Sequence, residues 1–431
     1  MSRLKNTISL IIFFIALSQC FSLESREVRR RIRFDENWKF TFGNAKEPSK
    51  DLDYAYYHYY KAKADEGKFS TISFDDGGWK TVTLPHDWAV TLPFSEKAYK
   101  THGYKALGPD FPETSVAWYR KKFTVPADDS GKRIEIRFDG VFRESRFWIN
   151  GIYLGSNMSG YTGVGFDITD FIEFDKENVI TVRVDATQIE GWFYEGAGVY
   201  RHVWLNVYDN LHLVPEDVFV YTEAVSPAGT LPASAKLSVN TKVNNEGEEN
   251  KTFSLQYEVF DRNGKSVAKL DSAPFSTPSG GNTEIKEHIC VENPTLWDTE
   301  KPYLYTLATR VITSDGAVDE VKTRFGIRTF RYEKDGFYLN DRKVRIKGLC
   351  VHQDHAGIGT AMVDEMQYYR VGLLRAMGAN AYRTAHNPPA PELLDACDSL
   401  GMLVLDETRL LNSSKEYLRQ FEDLIKRDRN H

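Results

Sequence analysis

The sequence predicts a multidomain β and α/β chain: a jelly-roll-like β-sandwich, an immunoglobulin-like β-sandwich, then the first three βα units of a TIM (β/α)8 barrel, truncated. Short alternating strands separated by turns occupy residues 30–214, and a second set occupies 215–328. After Phe330, β-prone runs alternate with segments of helical period, and three of those runs break into polar residues. They are Lys347-Gly-Leu-Cys-Val-His-Gln-Asp-His355, Ala381-Tyr-Arg-Thr-Ala-His-Asn387 and Met402-Leu-Val-Leu-Asp-Glu407. Polar side chains at the C-terminal ends of successive parallel strands are where such a barrel builds its active site. A barrel needs roughly 250 residues, and about 100 follow Phe330. The chain reads as the front part of a larger enzyme.

Residues 1–22 read as a secretory signal peptide. Arg3 and Lys5 precede the apolar run Ile8-Ser-Leu-Ile-Ile-Phe-Phe-Ile-Ala-Leu17, which is too short to span a bilayer. Export to the periplasm or the extracellular space follows. Leu17-Ser-Gln-Cys20 leaves a second reading, a lipid anchor at Cys20, although Gln19 is unusual before such a cysteine; simple cleavage near residue 20 is the expected one of the two. No other segment is apolar enough to be transmembrane.

Residues 30–214 form the first sandwich. Arg133–Phe138, Arg146–Ile149 and Val179–Val184 alternate, and Asn150-Gly151 between such runs is a hairpin signal. Asp51–Lys68, rich in Tyr and Lys, reads as an inserted, packed loop; the functional alternative is a cleft rim. Residues 215–328 form the second sandwich, from strands such as Leu237–Val243, Phe253–Phe260 and Leu304–Val311, with turns at 244–249 and Asp261–Gly264. Nothing in it looks catalytic, so a spacer role is expected.

Residues 329–431 hold the barrel units. A first helix, Asp364–Met377, groups Met366, Tyr369, Leu373, Leu374 and Met377 on one face. A second, Pro391–Leu400, groups Leu393, Leu394, Cys397 and Leu400, with Gly401 as its C-cap. Ser413-Ser-Lys-Glu416 reads as a capping box opening a third, with Tyr417, Phe421, Leu424 and Ile425 as its apolar face. A barrel is preferred to an open sheet because polar clusters follow every strand and no glycine-rich phosphate loop appears.

The composition removes several functions. A net charge of −6 without a basic patch excludes nucleic acid and anionic membrane as expected partners. After signal cleavage Cys290, Cys350 and Cys397 remain, an odd and widely spaced set that suits neither a disulfide framework nor a zinc site. Cys350 and Cys397 read as core residues. The 13% aromatic content fits sandwich cores first and sugar stacking second.

His352, His355, Arg383, His386, Asp406 and Glu407 lie at or just past the ends of the three strands. Singly, each has an ordinary structural explanation. Jointly they project to one end of one sheet, as a polyhydroxylated substrate requires, because every hydroxyl must recover the hydrogen bonds it loses from water.

Several stretches carry a family resemblance. Phe74-Asp-Asp-Gly-Gly-Trp-Lys-Thr-Val-Thr-Leu-Pro-His-Asp-Trp88 resembles the N-terminal signature of glycoside hydrolase family 2. Gly196-Ala-Gly-Val-Tyr-Arg-His-Val-Trp204 is similar to the close of that family's sugar-binding domain, and Phe325-Gly-Ile-Arg-Thr-Phe330 to its entry into the barrel. Lys347–His352 resembles its first barrel strand, and Arg427-Asp-Arg-Asn-His431 the run leading to its acid/base glutamate. Secreted bacterial β-galactosidases of the Bacteroides kind are the most similar members. The resemblance implies a retaining glycosidase using two carboxylates about 5 Å apart, acting on terminal β-galactosides in carbohydrate metabolism. It places both catalytic glutamates beyond His431, so no catalytic residue is assigned in this chain, which is expected to be inactive alone.

The resemblance further implies that His352, Arg383 and His386 hold the sugar or the nucleophile. It makes Asp406 a buried site carboxylate and brings Glu190 and Trp192 over the active site. Some members carry a divalent-metal site shortly after the Asp-Glu pair. Here Thr408-Arg-Leu-Leu-Asn-Ser413 offers neither acid nor histidine, so no metal and no other cofactor is expected. A homo-oligomer stays open. The alternatives are a non-catalytic carbohydrate-binding remnant, or a β-glucuronidase or β-mannosidase of the same family.

Overall fold

A computed structural model describes residues 28–54, 67–226, 233–410 and 412–431. The signal-peptide reading and Cys20 lie outside the described residues. Among the described residues no helix is long and apolar enough to cross a membrane.

Two antiparallel sheets build the first sandwich. One has four strands, in the order Arg30–Arg33, Val203–Tyr208, Arg133–Phe138, Val164–Asp167; the other has six, with Val116–Thr124 and Glu177–Asp185 at its centre. Alternation does the work predicted for it. In Arg133–Phe138 the residues Ile134, Ile136 and Phe138 are fully buried while their neighbours are half-exposed. Asn150 and Gly151 make the expected hairpin turn, both at positive φ (48° and 86°), between Ser145–Ile149 and Ile152–Asn157.

The start of the predicted inserted loop is a packed element. Asp51 accepts from Trp118 Nε1 (2.7 Å) and Arg183 Nε (3.0 Å), and Tyr54 lies on the Phe69, Trp118, Trp148 cluster. It covers the outer face of the six-stranded sheet. Residues 55–66, which carry most of its tyrosines, lie outside the described residues.

The second sandwich pairs Ser234–Asn245 with Phe219–Val225 and Gly281–Glu292 in one sheet. In the other, Lys251–Phe260 pairs with Ser266–Asp271 and with Tyr305–Thr313, which in turn pairs with Gly316–Phe325. Leu237, Val239, Leu255, Tyr257, Leu307 and Val311 fill the space between the sheets.

Past this sandwich the sequence reading missed one feature. Three short antiparallel strands, Phe330–Glu333, Gly336–Leu339 and Arg342–Val344, precede the parallel sheet, and their inward Phe337 and Leu339 pack on Trp297. Strands of three or four residues are too short for a period to stand out. Then Gly348–Val351, Ala381–Thr384 and Leu403–Leu405 lie parallel in that order, joined by helical crossovers as predicted.

Helix Pro391–Leu400 buries Leu393, Leu394 and Cys397, and Gly401 closes it in the left-handed conformation (φ 76°). The other two helices correct the sequence reading. Helix Asp364–Ala376 buries Gln367 and Val371 instead, leaving Tyr369, Leu373 and Met377 exposed. The apolar stripe was real, but the helix turns a different side to the sheet. Helix Lys415–Asp428 is capped by Ser414, whose hydroxyl accepts from Tyr417 N, one residue later than the capping box requires, so Glu416 bonds Gln420. Of its predicted face only Leu424 is buried; Phe421 and Ile425 are exposed. Cys350 is likewise no core residue. It is exposed, with Arg383 Nη1 3.5 Å from its sulfur.

The barrel units are clasped to the first sandwich by residues of the two sequence signatures. Asp87, 5% exposed, accepts five hydrogen bonds: from Ala89 N, Ala197 N and Tyr194 OH in its own domain, and from Thr360 N and Oγ1 across the boundary. Arg201 donates to Gln353 Oε1 (3.1 Å) and to the Pro388 carbonyl (2.7 Å). His202 meets Asp35 through Nδ1 (2.6 Å) and Asp364 through Nε2 (2.7 Å).

The His202 contact gives the clasp a pH dependence. Burial opposes the imidazolium, yet the bonds to Asp35 and Asp364, with Glu392 beside them, outweigh it and raise the pKa from 6.5 to about 9. A pKa higher in the folded state adds stability that is fully present below pH 6.5 and is lost as the pH rises through 9, worth at most roughly 3 kcal/mol. Denaturation midpoints in urea should therefore fall between these pH values, and His202→Gln should flatten that slope. A wild-type midpoint constant from pH 6 to 10 would refute the assignment.

Candidate active site

The parallel register sets the site. Cys350 lies beside Arg383 and Val351 beside Thr384, while Arg383 lies beside Leu405. Residues just past these positions therefore emerge together at one end of the sheet. Arg383 donates to Glu407 Oε1 (2.9 Å), and His386 Nδ1 meets the same oxygen at 3.0 Å. The rings of His352 and His386 are 5.7 Å apart. Arg383 and His386 thus meet on the Glu407 carboxylate with His352 beside His386, while His355 closes a separate turn with Gly359 (2.9 Å).

A loop of the first sandwich forms the roof. Trp192, 69% exposed, has its ring 5.4 Å from that of His386 and 6.1 Å from that of His352. Phe193 stacks on His352 at 4.7 Å and 22°. Such an exposed indole beside polar side chains offers a sugar ring an apolar face to lie on and hydrogen-bonding groups at its rim. The Glu190 carboxylate does not join them. It is largely buried 3.9 Å from Arg143, and burial raises its pKa despite that cation.

Asp406 sits deeper. It accepts from Thr384 Oγ1 (3.3 Å) and Glu407 N (2.9 Å). Burial, then the charge and hydrogen bond of Asp428, push its pKa up to about 7, so it holds a proton across the acidic range.

Two residues of this site escaped the sequence reading. Phe193 follows Trp192 directly and reads there as an ordinary core aromatic. Arg409 bonds the Glu190 carbonyl and lies 5.3 Å over the Phe193 ring, tying the loop after the third strand to the roof. A lone arginine on a loop gives no periodic signal.

A β-sandwich whose loop roofs the polar end of a three-stranded parallel sheet with an exposed indole has the layout of a carbohydrate-handling module. Residues 33–208 match the sugar-binding domain of glycosyl hydrolases family 2, residues 212–328 match the same family, and residues 330–431 match its TIM barrel domain. The chain belongs to glycosyl hydrolases family 2. It is 34% identical to a β-galactosidase of Bacteroides ovatus over 96% of this chain and 47% of that protein. Against a β-glucuronidase of Formosa agariphila it is 28% identical over 94% of this chain and 41% of that protein. A crystal structure of a family 2 member from Bacteroides cellulosilyticus superposes with a TM-score of 0.82 at 30% identity, covering 93% of this chain and 50% of that one. The chain spans about half the length of these relatives, or less.

Proposed function

We propose that the chain forms the sugar-holding front of a retaining β-galactosidase, with Trp192 and His352 against the ring and with Arg383 and His386 fixing Glu407 beside it. The carboxylate pair of a retaining mechanism, one nucleophile and one acid that then acts as base, is proposed to come from further barrel strands. The observation that carries this reading is the Trp192 indole over His352 and His386. The Bacteroides ovatus relative supports galactose as the sugar; the β-glucuronidases among the relatives keep glucuronic acid as the second candidate.

The residues after the Asp-Glu pair do not fit a divalent metal, since Arg409 puts a guanidinium there and the stretch offers no carboxylate. Export rests on the charged start and short apolar run, and N-terminal sequencing that finds intact Met1 on the mature protein would contradict it.

The sugar assignment is tested by calorimetric titration of the chain with isopropyl thio-β-galactoside and with methyl β-glucuronide. Binding of the first should be tighter, and Trp192→Ala should weaken it about tenfold, the loss of one stacked aromatic contact. Tighter binding of the glucuronide would reverse the assignment.

A further inference from the structure

A second site lies on the outer face of the immunoglobulin-like unit. Along Lys251–Phe260, Tyr305–Thr313 and Gly316–Phe325 the register builds three rows: Phe260–Thr306–Arg324, Glu258–Ala308–Lys322 and Gln256–Arg310–Glu320. Tyr257, Val259, Leu307 and Val311, which alternate with these, belong to the core, so the rows face outward. On the middle strand the short Thr306, between Phe260 and Arg324, leaves a trough between taller neighbours. The result is an open groove of about 730 Å³, within the usual size of a small-ligand site.

The groove gathers four cations on a chain of net charge −6, with one carboxylate, Asp261, whose Oδ1 accepts from Asn263 N and Lys265 N. Arg310 is matched by Glu258 (3.0 Å) and Glu320 (2.5 Å), and Arg324 by Asp395 (3.1 Å) and Ser399 Oγ (2.9 Å). Arg262 and Lys322 are freer. The Arg262 guanidinium is exposed and lies 5.1 Å over the Tyr303 ring, and Lys322, 65% exposed, has Glu320 at 3.2 Å. An exposed pair of that kind holds weakly, so Lys322 can exchange Glu320 for a ligand at little cost. Ser399 lies near the C-terminal end of helix Pro391–Leu400, which leads into the start of the third parallel strand. The groove is therefore at the opposite end of that sheet from His352 and His386.

We propose that this groove binds a carboxylated oligosaccharide, its acid groups on Arg262 and Lys322 and a sugar ring along Phe260. A guanidinium fork matches a carboxylate in two-point fashion, and the neighbouring Phe260 ring suits the apolar face of a sugar ring. Spacer becomes anchor.

Electrophoresis of the full chain through gels containing polygalacturonate, neutral galactan or dextran sulfate tests this. Retardation is expected with polygalacturonate, little with galactan, and less with dextran sulfate than with polygalacturonate. The Arg262→Gln/Lys322→Gln double variant should bind polygalacturonate at least tenfold more weakly, and each single variant severalfold. Both side chains are exposed, and a melting curve coinciding with that of wild type separates lost binding from lost fold. About 0.5 M salt should abolish the retardation, since its screening length is shorter than the groove. No retardation, equal retardation by dextran sulfate, or retardation surviving in the double variant would each overturn the proposal.

Discussion

Purified and folded, the 431-residue chain should release no nitrophenol from an aryl β-galactoside above the buffer rate. Retaining hydrolysis needs two carboxyl groups about 5 Å apart on opposite sides of the scissile bond. Asp406 and Glu407 are the nearest imitation, and a carboxyl held protonated by burial beside a second one is how acid and nucleophile are often told apart. Their geometry argues otherwise. The Glu407 oxygen that faces the histidines already accepts from Arg383 and His386, and Asp406 is turned to Thr384 and Asp428. Consecutive residues on one strand end also cannot flank a sugar. Turnover of several per second, lost in both Asp406→Asn and Glu407→Gln, would make these two the catalytic pair and sink the proposed division of labour.

Asp87→Ala should detach the barrel units from the sandwich. The change strands five donors, two of them on Thr360, in a site with almost no access to water. Each stranded donor costs about 1–3 kcal/mol where it cannot rehydrate, and partial relaxation makes roughly 3–5 kcal/mol the expected total. Three of those donors, on Ala89, Ala197 and Tyr194, belong to the sandwich, so its own melting point should fall too. The two on Thr360 loosen the boundary, and limited proteolysis within residues 345–431 should be about tenfold faster or more. Thr360→Val, which keeps the backbone bond and loses the hydroxyl one, should cost only about 1 kcal/mol. Equal cleavage of wild type and Asp87→Ala would show that the clasp is held elsewhere.

The order of elements was legible wherever a period ran long enough. The alternating strands of both sandwiches and helix Pro391–Leu400 with its Gly401 cap stand where the sequence puts them. The site was legible at strand ends, because His352, Arg383, His386 and Glu407 break apolar runs. What stayed hidden depends on tertiary placement. Which side of helix Asp364–Ala376 is buried follows from its neighbours, not from its own stripe. Asp87, Arg201 and His202 belonged to signatures whose meaning was a contact across more than 150 residues. Arg409 and Phe193 acquire their roles only once two domains touch.

That clasp also bears on how a nascent chain reaches this structure. Domains fold largely as units as they leave the ribosome, N-terminal ones first. By the time residue 208 is made, Asp87 has three of its five partners, and Arg201 and His202 already stand at the surface of a finished body. Thr360, Asp364 and Pro388 come off the ribosome afterwards and find their partners waiting. The parallel strands, whose outermost Leu405 is 64% exposed, are the kind of slow-pairing, sticky segment that associates with its own copies when left alone. The sugar-binding sandwich thus acts as a covalently attached chaperone, offering the start of the barrel a mould before a second chain can.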